Sequence, residues 1–301
     1  PQVKSWGGTL QVSTDATTWE TFDTDGATAA VDGSGMYKLY LRGTNNLRIS
    51  AAYWGALGWT LTADGAVTCS GSIETLLDYK KVTNGQHPAM AQYCFINLFS
   101  GWTALTQAPE MSATTLADYC YASMFRGCTG LTQAPTLSAT TLTDSCYFNM
   151  FRGCTGLTQA PALPATTLAD YCYASMFRDC TGLTQAPALS ATTMALACYH
   201  SMFWGCTKLT QTPALPATVL SDNCYNSMFV GCTGLTQAPE LPATTLAPYC
   251  CYYMFWGCTG LTQAPELPAT TLADNCYAGM FARCTGLTRV PELPATTLAE
   301  Y

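Results

Sequence analysis

The stretch "CYASMFRGCTGLTQAP", Cys120 to Pro135, returns as "CYASMFRDCTGLTQAP" from Cys172 to Pro187. Only one letter differs, Gly127 against Asp179. The frame around it recurs along most of the chain. Cysteine stands at 94, 120, 146, 172, 198, 224, 250 and 276, always 26 residues apart. A second series at 128, 154, 180, 206, 232, 258 and 284 keeps the same step, as do the prolines from Pro135 to Pro291. A fixed period of this length is the signature of stacked supersecondary units that share one continuous core.

Each unit reads locally. In "TTLADYCYASMFRGC", Leu116, Cys120, Met124 and Cys128 lie four apart, with Phe125 beside them, which predicts one apolar stripe of a helix of about three turns. Thr115 and Asp118 have capping-box spacing, repeated by Thr141/Asp144, Thr167/Asp170 and Thr271/Asp274. "CTG" supplies a stop, "LTQAP" predicts a short strand, and its proline ends ladder pairing. Leu131, Ala134, Leu137, Leu142, Cys146, Met150 and Phe151 are expected to point inward. The predicted class is an α/β repeat solenoid with one strand and one helix per unit, preceded by a small all-β domain. The first unit departs from the frame, with Leu98 in place of Met and Trp102 in place of the second Cys.

The pattern C-T-G-L-T-Q-A-P-x-L-P-A-T-T-L-A-D-x-C-Y-x-x-M-F-x-G resembles the BspA-like leucine-rich repeat family. Met124-Phe125, Cys128 and Leu131 match that family's core motif. The 26-residue form is similar to surface-protein repeats of gut Bacteroidetes and some of their phages. Over residues 90 to 301 the resemblance implies a curved solenoid and adhesion or ligand binding at a cell surface, with no particular ligand.

The 17 cysteines are open to three readings. Residues eight apart on one helix are about 12 Å apart, too far for a disulfide. Equivalent cysteines on neighbouring helices are roughly 8–10 Å apart. No C-x2–4-C pair of the zinc type occurs. Buried thiol ladders are therefore the preferred reading, with Cys250-Cys251 and Cys69 as irregularities. An odd, thiol-rich set fits a reducing or anaerobic setting.

Residues 1–85 show no repeat. "TLQVSTD", "KLYLRG", "NLRIS" and "WTLTADGAVTCSG" read as strands, with Asp64-Gly65 as a hairpin signal. The expectation is a β-sandwich-like capping domain with a linker helix near 72–81, Ser72 as its N-cap, followed by a solenoid of about eight units over 86–301. Trp6, Trp19, Trp54 and Trp59 read as core in preference to a sugar platform.

Within the frame, four positions vary: the 119, 122, 123 and 126 series. On a helix they share one face opposite the apolar stripe. Surface drift is one explanation. Drift favours Lys and Glu, however, whereas these positions carry Tyr, Trp, Phe, His, Asn, Ser and Arg, a paratope-like mixture. The candidate binding residues are Tyr171, Arg178, His200, Trp204, Asn226, Tyr252, Tyr253 and Trp256. A rival is the regular Thr132/Gln133 ladder.

Charge narrows the partners. The 301 residues carry a net charge of −7 with only 12 Lys and Arg, which argues against nucleic acid. No apolar run is long enough to cross a membrane. Only two histidines, His87 and His200, are present, and no nucleophile motif, phosphate loop or metal cluster appears. No catalytic residue, metal or cofactor is therefore expected. The expectation is a non-enzymatic recognition module for a glycan or surface protein, placed outside the cell, on a bacterial surface or on a virion. The alternative is a structural appendage or virion component in which the repeats act as a spacer or assembly surface, with the open C-terminal end, mid-unit at Tyr301, as a contact for a homo-oligomer.

Overall fold

The computed structural model describes residues 8–22, 27–50 and 63–297. Its regular elements lie almost entirely ahead of the repeats. They are β1 (Thr9–Ser13), β2 (Glu20–Thr21), β3 (Ala30–Val31), β4 (Tyr37–Lys38), β5 (Tyr40–Thr44), β6 (Val67–Thr68), α1 (Thr75–Thr83) and β7 (Leu105–Gln107). Strand β1 pairs antiparallel with both β2 and β5. The β3–β4 ribbon is antiparallel and wholly exposed, so it is not the second layer of a sandwich. "NLRIS" forms no strand. Val67–Thr68, just after Asp64-Gly65, pairs in parallel with β7; the other arm of the expected hairpin lies outside the described residues. Trp6, Trp54 and Trp59 lie outside them too. Trp19 is half-buried, its ring covered by the Arg42 guanidinium at 3.8 Å. Helix α1 starts at Thr75, not near 72, and Ser72 Oγ accepts the Glu74 amide at 3.3 Å.

This N-terminal part is seated on the first repeat. The amides of Ile49 and Ser50 donate to the Cys94 carbonyl, and those of Cys69 and Ile73 donate to Gln107 and Glu110. Leu10, Ile49, Ile73 and Leu77 belong to the same buried cluster as Cys94 and Phe95. The apolar end of the stack is thereby covered, which isolated repeat faces require.

The repeat unit itself differs from the expectation. No α-helix forms between residues 86 and 297; the segment Asp118–Gly127 is a ribbon of consecutive turns. Alternate amides do two different jobs. Those of Cys120, Ala122, Met124, Arg126 and Cys128 close back three residues, onto Ala117, Tyr119, Tyr121, Ser123 and Phe125. Those of Tyr119, Tyr121, Ser123, Phe125 and Gly127 leave the unit and donate to Asp144, Cys146, Phe148, Met150 and Arg152 of the next. A helix would consume both sets internally. Every fourth residue then takes a left-handed conformation: Tyr119 at φ 56°, Ser123 at 55° and Gly127 at 71°. For a tyrosine this costs on the order of 1 kcal/mol, offset by the 3.0 Å bond its amide makes to the next unit.

The ribbon also explains burial that a surface helix does not allow. Cys120, Tyr121, Ala122, Ser123, Met124 and Phe125 are consecutive, and none exceeds 2% exposure. Four-residue spacing is common to a helix and to a ribbon with a left-handed residue at every fourth position. Two of the expected capping carboxylates serve the stack instead. Asp144 Oδ1 accepts the Asp170 amide, and Asp170 Oδ1 accepts the Leu196 amide. The expected strand shrinks to single parallel bridges, Gln133 to Gln159 to Gln185 to Gln211 and, beyond a gap, Gln237 to Gln263.

Three ladders fill the interior. Phe99, Phe125, Phe151, Phe177, Phe203, Phe229, Phe255 and Phe281 stack with ring centroids 5.5–5.8 Å apart. Tyr121 to Tyr225 form a second stack at 5.8–6.1 Å, which ends where Cys251 takes the tyrosine position. The cysteines are the third. All 17 are thiols. From Cys128 to Cys284, each second-series Sγ donates to a phenylalanine carbonyl of the preceding unit at 2.9–3.1 Å, as Cys154 does to Phe125. Cysteine here is therefore a small apolar filler with one donor aimed between units.

Candidate recognition surface

The four variable positions emerge from this ribbon by a rule of size. Ala122 and Ala174 are fully buried, and Ser123, Ser175 and Ser201 nearly so. The letters Ala122 and Ser123 do not face outward, contrary to the helical expectation. Where the 119 series is large, the 122 series is small: Tyr119 with Ala122, Tyr171 with Ala174. Where the first is small, the second is large: Ser145 with Phe148, Ala197 with His200. These four units each let one large side chain out; the unit at Cys250 breaks the rule, with Tyr249 and Tyr252 both large.

Three groups result. At one edge Tyr93, Tyr119, Ser145, Phe148 and Tyr171 line an open groove of about 350 Å³, with the Tyr93 and Tyr119 rings stacked at 4.9 Å. At the other end of the array, Tyr252 lies 4.1 Å from Tyr253 and edge-on to Tyr249 at 5.6 Å. Asn226, between these groups, is spent internally: its Nδ2 donates to Asn223 Oδ1 and its Oδ1 accepts from Ser227 Oγ. It presents almost nothing to a ligand.

The third group surrounds Arg178. Its guanidinium lies 4.2 Å over the Trp204 ring, and its Nε is 3.6 Å from Asp179 Oδ2. Arg152 Nε reaches the same oxygen at 3.6 Å. Burial and the neighbouring Arg152 pull the Arg178 pKa down. His200 is half-buried; burial first, then Arg178, lowers its pKa and keeps the ring neutral near pH 7. Trp256 repeats the arrangement further along, with Arg283 at 4.8 Å over its ring. Trp204 and Trp256 are therefore not bare platforms, since each carries a cation on its face.

Asp179 joins the site without being among the residues expected there, although the sequence marks it. Every other complete unit from Cys120 to Cys258 has glycine at that position; the last unit has Arg283. Asp179 and Arg283 both hold φ near 60°, a conformation glycine adopts without strain. Each of these two side chains then binds a partner on the variable surface.

The remaining polar cluster is a structural one. Glu74, 1% exposed, accepts from Ser112 Oγ at 2.8 Å and contacts His87 Nδ1 at 2.9 Å. Both partners turn to the carboxylate, so the imidazole is not placed to take the serine proton. Among the described residues no group of three or more His, Cys, Asp or Glu side chains is arranged to hold a metal ion. None of the described helices is long and apolar enough to cross a membrane. No protein-family model, curated protein or solved structure matches the chain.

Proposed function

We propose that the chain is a non-enzymatic recognition module of the leucine-rich-repeat type, akin to the BspA-like surface proteins. On this reading it binds a glycan or a surface protein, at a bacterial surface or on a phage particle. The observation that carries the reading is the division of labour between letters. The constant ones, Cys120, Met124, Phe125, Cys128 and Leu131, are at 0% exposure. The varying ones leave Tyr171 and Tyr253 exposed and Trp204, Tyr252 and Trp256 half-exposed, in the units at Cys172, Cys198 and Cys250. Aromatic side chains on a rigid support give large contact area at little conformational cost. Seating on a stack fixed by five amide bonds per junction supplies that rigidity.

The test is a glycan and surface-protein array probed with the wild-type chain and with a Trp204→Ala, Tyr252→Ala, Trp256→Ala variant. Truncated anchors of this kind each cost about 2 kcal/mol or more at an interface, so binding should drop at least a hundred-fold while the fold is retained. Unchanged binding by the variant would move recognition away from this surface. A chain that serves only as a spacer binds nothing on either array.

A further inference from the structure

The arginine register narrows the ligand class, given the recognition reading above. Only six basic residues follow Lys81, and three of them, Arg126, Arg152 and Arg178, occupy one position in three successive units. These successive units are 5.6–5.9 Å apart, measured at their stacked rings. The three cations therefore form a row with one charge per unit, close to the length of one sugar residue in an extended polysaccharide. Like charges held this close repel, and the chain as a whole is acidic, so the row is not a by-product of a basic composition.

The row already holds one carboxylate, its own. Asp179 Oδ2 is 3.6 Å from both Arg152 Nε and Arg178 Nε. To place it there the backbone gives up the glycine found at Gly127, Gly153, Gly205, Gly231 and Gly257. The contact is long and its partners are a third to a half exposed, so it is a weak pair that a better-placed carboxylate can displace. Arg178 Nε has no hydrogen-bond partner despite being shielded from solvent, and Arg126 is exposed. Trp204 closes the row with an aromatic ring under Arg178. Guanidinium forks suit carboxylates better than ammonium groups do.

We infer that Arg126, Arg152 and Arg178 form a linear site for a uronate-bearing polysaccharide, one carboxylate per unit, with Asp179 as an internal competitor at its inner end.

The probes are polygalacturonate, dextran sulfate (a polyanion without carboxylates) and neutral dextran, measured by calorimetry on the full chain at two salt concentrations. Polygalacturonate should bind and weaken with salt, and dextran should not bind. Arg126→Gln together with Arg152→Gln should lose roughly a hundred-fold, at about ten-fold per charge-assisted contact. Asp179→Gly installs the residue other units use and should tighten binding several-fold. Two variants acting in opposite directions on one folded stack separate a binding role from loss of structure. Binding of dextran equal to that of polygalacturonate, or tighter binding of dextran sulfate, overturns the uronate assignment but leaves recognition standing. Unchanged affinity in Asp179→Gly overturns the competitor role. No binding of any of the three, with a positive protein array, overturns the site while the recognition reading survives; no binding to any of the three and a negative array removes both.

Discussion

Replacing Phe177 by Ala is expected to destabilise the stack by about 3–5 kcal/mol. Its ring is fully buried and sits between Phe151 and Phe203 at 5.7 and 5.8 Å. Truncation removes two stacking contacts at once and opens a cavity in mid-array. Neighbouring rings cannot collapse into it, because each unit is held in register by the amide bonds on both sides, such as Phe151 to Met176 and Phe177 to Met202. In a one-dimensional array stability is a sum of unit and junction terms, so the loss falls on the junctions flanking unit 172. Urea unfolding should change from one transition to two as the halves uncouple. A loss under about 1 kcal/mol with a single transition would mean that the phenylalanine ladder is not the interior.

The second large effect is alkaline. Burial raises the pKa of every thiol outside the Cys250–Cys251 pair, whose mutual hydrogen bond lowers Cys250 and, together with burial, raises Cys251. Cys128, Cys198 and Cys258 are each pushed up to about 12, from an ordinary value of 9.0. Above pH 9 the unfolded chain releases these protons and the native chain keeps them, so unfolding gains. The stabilisation is present in full below pH 9 and is lost as pH rises through 12. Each such thiol contributes about 1.4 kcal/mol per pH unit, so these three alone remove about 4 kcal/mol per unit, a large part of the stability of an ordinary domain. The buried Tyr121 and Tyr147 hydroxyls, also raised by burial, act in the same direction. Urea midpoints under reductant should be flat to pH 9 and then collapse. A midpoint unchanged up to about pH 11 would mean that the thiols are solvated.

The period and most of the interior were legible in the sequence, because a buried position must be filled the same way in every unit. Of the residues expected inward, Leu131, Leu137, Leu142, Cys146, Met150 and Phe151 are buried and Ala134 only partly so. The backbone was not legible from spacing alone. Leu116, Cys120, Met124 and Cys128 at intervals of four fit a helix and a turn ribbon equally. The distinguishing marks were Tyr121, Ala122 and Ser123, a run without a polar face, and Gly127 at the left-handed position. The tyrosine ladder was missed for the same reason, since a helix would have turned Tyr121 away from Cys120.

The surface was legible only as a list of variable letters. Which of them emerge depends on pairs within a unit, Tyr119 over Ala122 or Phe148 over Ser145, and no single series contains that information. Asn226 looked like a contact residue and is consumed by Asn223 and Ser227. Asp179 looked like a slip in the repeat and instead joins two arginines.

If the constant letters form the interior of one stack, thiol accessibility reveals it directly. The reduced native chain should be treated with iodoacetamide and the modified cysteines mapped by mass spectrometry. Cys69, the one half-buried cysteine, should label first, though slowly because burial raises its pKa to about 11, and the Cys120 and Cys128 series should stay unmodified until denaturant is added. Rapid labelling of both series in mid-array, at Cys172 and Cys180 for example, would contradict the stack.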